Sequence, residues 1–145
     1  MSVHPLVGAF YTRIWNDGDM GVIDEIISPD FSFRGSLGTE LLGLEEFRGY
    51  AQVIRSALAD YRCEILDCVT EGNQAFAKMR FSGRHLGTFR GFLPTGKSVE
   101  WLGAALFTFN QSRIVSVWVL GDLAGLDEML RGHNAPSARS TEPSR

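Results

Sequence analysis

The chain has 145 residues, 44% of them hydrophobic and 21% charged, with 14 Lys and Arg against 17 Asp and Glu for a net charge of −3. That length and apolar share fit one globular domain and exclude collagen-like, coiled-coil and wholly disordered chains. No apolar run approaches the roughly 20 residues that a membrane-crossing helix needs, residues 1–10 lack the basic-then-apolar pattern of a secretory leader, and no basic stripe marks a nucleic-acid binder. The expectation is a soluble cytoplasmic domain that acts on something small, with neither nucleic acid nor membrane as partner.

Val3, Leu6, Val7, Phe10, Tyr11, Ile14 and Trp15 recur at helical intervals and predict an amphipathic helix over residues 3–16. The run Asn16-Asp17-Gly18-Asp19 stops it, and Asp19 is placed to cap a second, short helix whose apolar face is Val22, Ile23, Ile26 and Ile27. Ser28-Pro29-Asp30 ends that helix, Phe31-Ser32-Phe33 reads as a brief strand, and the Gly-rich stretch 35–38 follows. A third helix fits residues 44–58, with Leu44, Phe47, Ala51, Ile54 and Leu58 inward.

From Asp60 the rhythm becomes that of strands: residues 61–70, a turn at Glu71-Gly72-Asn73, then residues 74–84. Residues 87–96 read as a loop or bent hairpin, residues 98–110 and 113–120 as two more long strands, and residues 123–130 as a short helix. The segment 133–145 carries no large apolar residue and reads as a disordered tail, so the domain proper is expected over 1–131 and the tail over 132–145. Three helices followed by long antiparallel strands make an α+β layout, a curved sheet with helices on one face enclosing a conical pocket.

Cys63 and Cys68 lie five apart in the first long strand, which on a regular strand puts them on opposite faces and unable to bridge each other. The histidines, His4, His85 and His133, are too far apart for a metal site. There is no GxGxxG, phosphate loop or nucleophile elbow, which argues against nucleotide use and acyl transfer through serine.

Asp122 ends the last strand, and on a regular strand it shares a side with Ile114, Trp118 and Leu120. A carboxylate on such an aromatic face would have its pKa raised and serve as an acid or base. The other reading is a helix N-cap for residues 123–130. His85, flanked by Gly83 and Gly87 and on one strand face with Phe81 and Met79, is either a polar partner in a ligand pocket or a hydrogen-bonded histidine at a sheet bend. Arg34 either reaches the cavity mouth to stabilise an oxyanion or pairs with a surface carboxylate. Asp60 either lines the pocket or turns the chain. Trp15, Phe33, Trp101, Phe107 and Trp118 either wall a pocket or fill the core.

Several segments together resemble the SnoaL-like polyketide cyclase family of the NTF2-like superfamily. They are Phe10-Tyr11 with Trp15-Asn16-Asp17-Gly18-Asp19, Ser28-Pro29-Asp30-Phe31, Gly43-Leu44-Glu45-Glu46-Phe47, Gly83-Arg84-His85-Leu86-Gly87, the run 91–97, and Arg113-Ile114-Val115 leading into Trp118 and Asp122. The resemblance covers roughly residues 5–131. It implies an NTF2-like cone, a homodimer through the sheet, and cofactor-independent aldol cyclisation of a small apolar or polycyclic carbonyl compound. By the same resemblance Asp122 is the acid/base and His85 its polar partner. The chain departs from the family pattern at Ser116 and Val117, just before Trp118, and at Phe107-Thr108, where a supporting histidine is expected. Two other functions are carried alongside: a non-catalytic ligand-binding or dimerisation module, and an epoxide-hydrolase-like enzyme using Asp60 and Arg80.

Overall fold

The computed structural model describes residues 1–134. Helix α1 (Pro5–Ala9) opens with Pro5, whose fixed φ suits the first turn, and with His4 Nδ1 accepting from the Leu6 amide at 3.1 Å. The chain continues as a wider π-helical turn over Phe10–Asn16, with the Asp17 amide reaching back to the Thr12 carbonyl. Asn16 then joins the helix to the sheet. Its side-chain amide donates to the Cys63 carbonyl and its Oδ1 accepts from the Cys63 amide, at 3.0 and 2.6 Å. Gly18 has φ +73°, a conformation that a residue with a Cβ adopts only under strain, and the Arg55 guanidinium beside it donates to the Trp15 carbonyl at 3.0 Å. The Asn-Asp-Gly run therefore fixes the helix end by side-chain bonding and by the absence of a Cβ.

Asp19 accepts from the Gly21 amide at the head of the 3₁₀ turn Met20–Val22, which runs into α2 (Ile23–Ile26). β1 (Ile27–Arg34) is eight residues long, so Ser28-Pro29-Asp30 lies within a strand and not at a helix stop. Pro29 falls where β1 loses register with its neighbour, which is where a residue without an amide hydrogen is tolerated. A short strand, β2 (Glu40–Leu42), pairs with β1 and was not foreseen. Helix α3 (Gly43–Ala57) buries Phe47, Ala51, Ile54 and Ala57.

The long strands are β3 (Leu58–Glu71), β4 (Gln74–His85), β5 (Ser98–Asn110) and β6 (Arg113–Gly121), followed by α4 (Leu123–His133). Among the described residues the sheet order is β2-β1-β6-β5-β4-β3, with only the β1–β6 pair parallel. Helix α4 runs three residues past its expected end, so residues 132–133 of the tail expected over 132–145 are helical; residues 135–145 of that tail fall outside the described residues. Among the described residues no helix is long and apolar enough to cross a membrane.

Two bulges decide which side chains face the helices. In β6, Thr108 pairs with Ser116 but Phe109 pairs with Ile114, so Val115 is an extra residue. Ile114, Val117 and Val119 consequently point inward together, while Trp118 and Leu120 are exposed. The expectation that Ile114, Trp118 and Leu120 share one side, which rested on unbroken alternation, is corrected. In β3 a register shift between Ile65 and Asp67 does the same, so that Cys63 and Cys68 are both buried, not on opposite faces. They remain free thiols, set about 16 Å apart by five residues of strand.

Candidate functional site

The space between sheet and helices is largely filled by aromatic rings. Phe10 of the first helix meets Phe107 of β5 edge-on at 5.3 Å and stacks on Phe47 of α3 at 5.6 Å, and Tyr11 meets Phe107 at 5.7 Å. Trp15 packs edge-on against Phe47, Tyr50 and Tyr61 at 5.7, 6.2 and 5.5 Å. What remains is a cavity of about 20 Å³, lined by Tyr11, Trp15, Phe33, Ser36, Tyr50 and Val119 together with Phe10, Gly35 and Phe81. That volume holds about one water-sized group.

Among the described residues no charged side chain lines the cavity, and its polar groups are hydroxyls. Tyr11 is buried and its hydroxyl has no hydrogen-bond partner among the described residues. Burial, with the Cys63 thiol beside it, pushes the Tyr11 phenol well above its ordinary value. Tyr50, half-buried, is pushed up by burial, an effect that a hydrogen bond with Thr39 and the charge of Arg90 partly offset. Ser36 is buried, and its Oγ accepts from the Trp101 indole at 3.2 Å. Next to the cavity Tyr61 and Cys63 hydrogen-bond each other, and burial raises both. These groups stay protonated at neutral pH, so the cavity offers O–H donors and no anion.

Of the residues expected at the site, Trp15 and Phe33 line the cavity. Trp101 stands behind it and reaches it through Ser36, and Phe107 is core beneath Phe10 and Tyr11. Asp122 does not share the inward face. It is exposed at the N-cap of α4, where Oδ1 accepts from the Gly125 amide at 3.0 Å. The N-cap reading of this residue describes its geometry, and the bulge at Val115 is the reason the strand carries it away from the interior.

His85 is fully buried on the face of Phe81 and Met79, but both ring nitrogens are committed to the following loop. Nε2 lies 3.1 Å from the Phe92 carbonyl, which can only accept, so the ring hydrogen sits there and Nδ1 accepts from the Thr95 hydroxyl at 3.3 Å. The bend-histidine reading thus describes its contacts. Arg34 lies on the outer face of the sheet, donates to the Val119 carbonyl and covers the exposed ring of Trp118 at 5.3 Å. Both belong to an open cleft of about 570 Å³ between β2, β1 and β6, outside the cone. Asp60 stands at a β3 bulge with φ +55°, its carboxylate 3.6 Å from Arg84 and its side chain 87% exposed. Arg80 pairs on the outer face with Glu64 and Glu100 at 3.0 and 3.4 Å, so Asp60 and Arg80 do not meet in the interior.

Tyr11, Ser36 and Tyr50 were not singled out from the sequence. Tyr11 alone leaves a trace, as the one hydroxyl on the apolar face of the first helix.

A six-stranded curved sheet wrapped on one face by helices, with a small hydroxyl-bearing cavity between them, is the ketosteroid-isomerase or NTF2-like class of fold. The sequence profile of the SnoaL-like polyketide cyclase family matches residues 6–130, and the chain belongs to that family. A comparison with proteins of curated function finds no match. Among solved structures, a protein from Acidithiobacillus ferrooxidans provisionally named a polyketide cyclase is 22% identical with a TM-score of 0.79, covering 92% of this chain and 99% of its own. TsrD from Streptomyces laurentii is 26% identical with a TM-score of 0.76, covering 86% of this chain and 91% of that one. A Catenulispora acidiphila protein described as having a ketosteroid isomerase-like fold, solved in complex with trimethylamine, is 13% identical with a TM-score of 0.74, over 86% of this chain and 91% of that one. Identities of 22% and 13% bear on the fold alone.

Proposed function

We propose that this protein carries out cyclase- or isomerase-type chemistry, without a cofactor, on a small apolar carbonyl compound whose oxygen enters the aromatic cavity. The observation that supports this reading is the buried, unpartnered hydroxyl of Tyr11. A buried donor without an acceptor costs about 1–3 kcal/mol, a cost a ligand carbonyl would remove. A donor fixed at that oxygen stabilises the charge that grows on it as the neighbouring carbon loses a proton. The aromatic walls supply the apolar contact.

The proton acceptor in this reading is the aspartate that the family resemblance implies, Asp122. For it to act, its carboxylate must leave the Gly125 amide and enter the cavity region. A second reading follows from its exposed position: the same cavity binds the carbonyl compound without turning it over. Deuterium exchange at the α-carbons of cyclohexanone in D₂O separates the two. The catalytic reading expects the wild type to accelerate exchange, with Tyr11→Phe and Asp122→Asn each removing the acceleration. Binding with no exchange above the buffer rate leaves the binding reading, and exchange that survives Asp122→Asn rejects Asp122 as the base.

The homodimer implied by the family is proposed to form through the outer face of the sheet. Val69, Phe76, Leu106 and Trp118 are direct cross-strand neighbours in sequence β3-β4-β5-β6, and they are 60, 44, 39 and 48% exposed. Such a row is a large apolar surface for a monomer to leave in water. Leu106→Glu is expected to give a monomer by light scattering; a wild-type monomer at high concentration rejects the dimer.

A further inference from the structure

We propose that Ser36 joins Tyr11 in a two-donor seat for one ligand oxygen, and that Ser36 sets the orientation of the bound carbonyl. This rests on the carbonyl-binding reading above and adds a residue that neither the sequence motifs nor the family resemblance brings forward.

A serine hydroxyl has one hydrogen to donate and two lone pairs to accept with. At Ser36 the Trp101 indole uses one lone pair, at 3.2 Å, and no hydrogen bond donated by the Ser36 hydroxyl occurs among the described residues. Tyr11 is in the same condition, a buried phenol with nothing to bond. Both line the one cavity of about 20 Å³, whose remaining side chains, Tyr50 apart, are hydrocarbon or indole. Two hydrogens without acceptors thus border a space with room for a single oxygen.

The lining also selects the charge of that oxygen. Among the described residues no Lys or Arg lines the cavity, so a carboxylate would be buried without a counter-charge, and no Asp or Glu lines it, so an ammonium would be as well. A neutral acceptor with two lone pairs, a ketone or quinone oxygen, matches two donors with no charge.

The position of Ser36 is built into the fold. The turn that carries it is closed by the Gly35 amide donating to the Thr39 carbonyl at 3.0 Å and the Gly38 amide donating to the Gly35 carbonyl at 2.9 Å. The turn is pressed against the end of β6 at Gly121, where a Cβ would lie 2.5 Å from the Ser36 carbonyl oxygen and 3.1 Å from its Cβ. Any side chain at 121 would push Ser36 away from its place. Tyr50 is the one lining side chain that is only half-buried, so the body of the ligand enters past it.

The test uses cyclohexanone labelled with ¹³C at the carbonyl, and methylenecyclohexane as an isostere without the oxygen. Two donors on the oxygen move the bound carbonyl resonance downfield of its position in a hydrocarbon solvent. Tyr11→Phe and Ser36→Ala are each expected to remove part of that displacement and to weaken ketone binding about 2–10-fold, the range of one net hydrogen bond. Binding of methylenecyclohexane should stay within about twofold. A Ser36→Ala protein with wild-type resonance and ketone affinity, or one that loses both ligands equally, overturns the role of Ser36 and leaves the carbonyl reading intact. A wild type that binds neither probe, or shows no downfield displacement, overturns the carbonyl reading and the seat with it. Should Ser36→Ala fail to fold, Ser36→Cys, whose thiol is a weak donor, is read in the same way.

Discussion

Arg90 grips Asp127 through two parallel hydrogen bonds, Nε to Oδ1 at 2.6 Å and Nη2 to Oδ2 at 2.9 Å. The pair ties the tip of the β4–β5 connection to α4. That tip is a two-residue hairpin in which Phe89 and Phe92 exchange backbone hydrogen bonds around Arg90 and Gly91, both at positive φ. The charge of Arg90 is also felt at Tyr50, whose pKa it lowers against the larger effect of burial.

The Arg90 hydrogen bond holds the Asp127 carboxyl below its ordinary value. A carboxyl depressed in the folded state stabilises the protein above its unfolded pKa, near 4, and that contribution disappears as the pH falls through the lower folded value. Asp127→Asn is therefore expected to flatten the loss of melting temperature below about pH 4. It should cost no more than about 1 kcal/mol at pH 7, since the pair is partly exposed. Faster amide exchange at Phe89 and Phe92 would report the released hairpin, and wild-type exchange there would reject the clamp.

His133 gives a second pH dependence. Burial, then the charge of Lys97, lower its pKa, and its Nδ1 is buried with no partner among the described residues. A histidine depressed in the folded state favours folding above its unfolded pKa of about 6.5 and opposes it as the pH falls toward the folded value. The end of α4 should loosen over that acidic interval, and His133→Gln should remove the effect. Helical amide exchange at Leu130 and Arg131, measured at pH 7.5 and about 5.5, checks it.

Tyr11→Phe removes a hydroxyl with no hydrogen-bond partner among the described residues, so its expected effect on stability is zero or a gain of about 1 kcal/mol in urea unfolding. A loss of more than about 1 kcal/mol would mean that the phenol has a partner in solution, such as an ordered water.

Asp122→Ala should cost about 1 kcal/mol through the lost N-cap, and Asp122→Asn much less, because asparagine caps nearly as well. The two variants thus separate a capping role from any chemical one: equal stability of Asn and Ala would reject the cap.

The lengths of β4, β5 and α3 were legible within a residue or two, because apolar residues alternate or recur without interruption there. β2 was not, since three residues paired only to β1 leave no periodic pattern. The site was harder to read for a related reason. Facing was inferred from strict alternation, and one inserted residue, Val115, inverts it for Trp118 and Leu120 and carries Asp122 outward. Trp15 and Phe33 face the cavity, and their facing is readable because helix periodicity and a short strand need no counting across a bulge. Ser36 sits in a turn, where no period exists, and only the packing of Gly121 against it reveals its place.

The bulge at Val115 separates what a segment spells from what it presents. Losing or gaining one residue in this arm of the hairpin would exchange the solvated and interior-facing sets of the last strand wholesale, with every letter after it unchanged. Evolution, or an engineer, has in strand length a means of rewriting the wall of the chamber that does not require a single substitution.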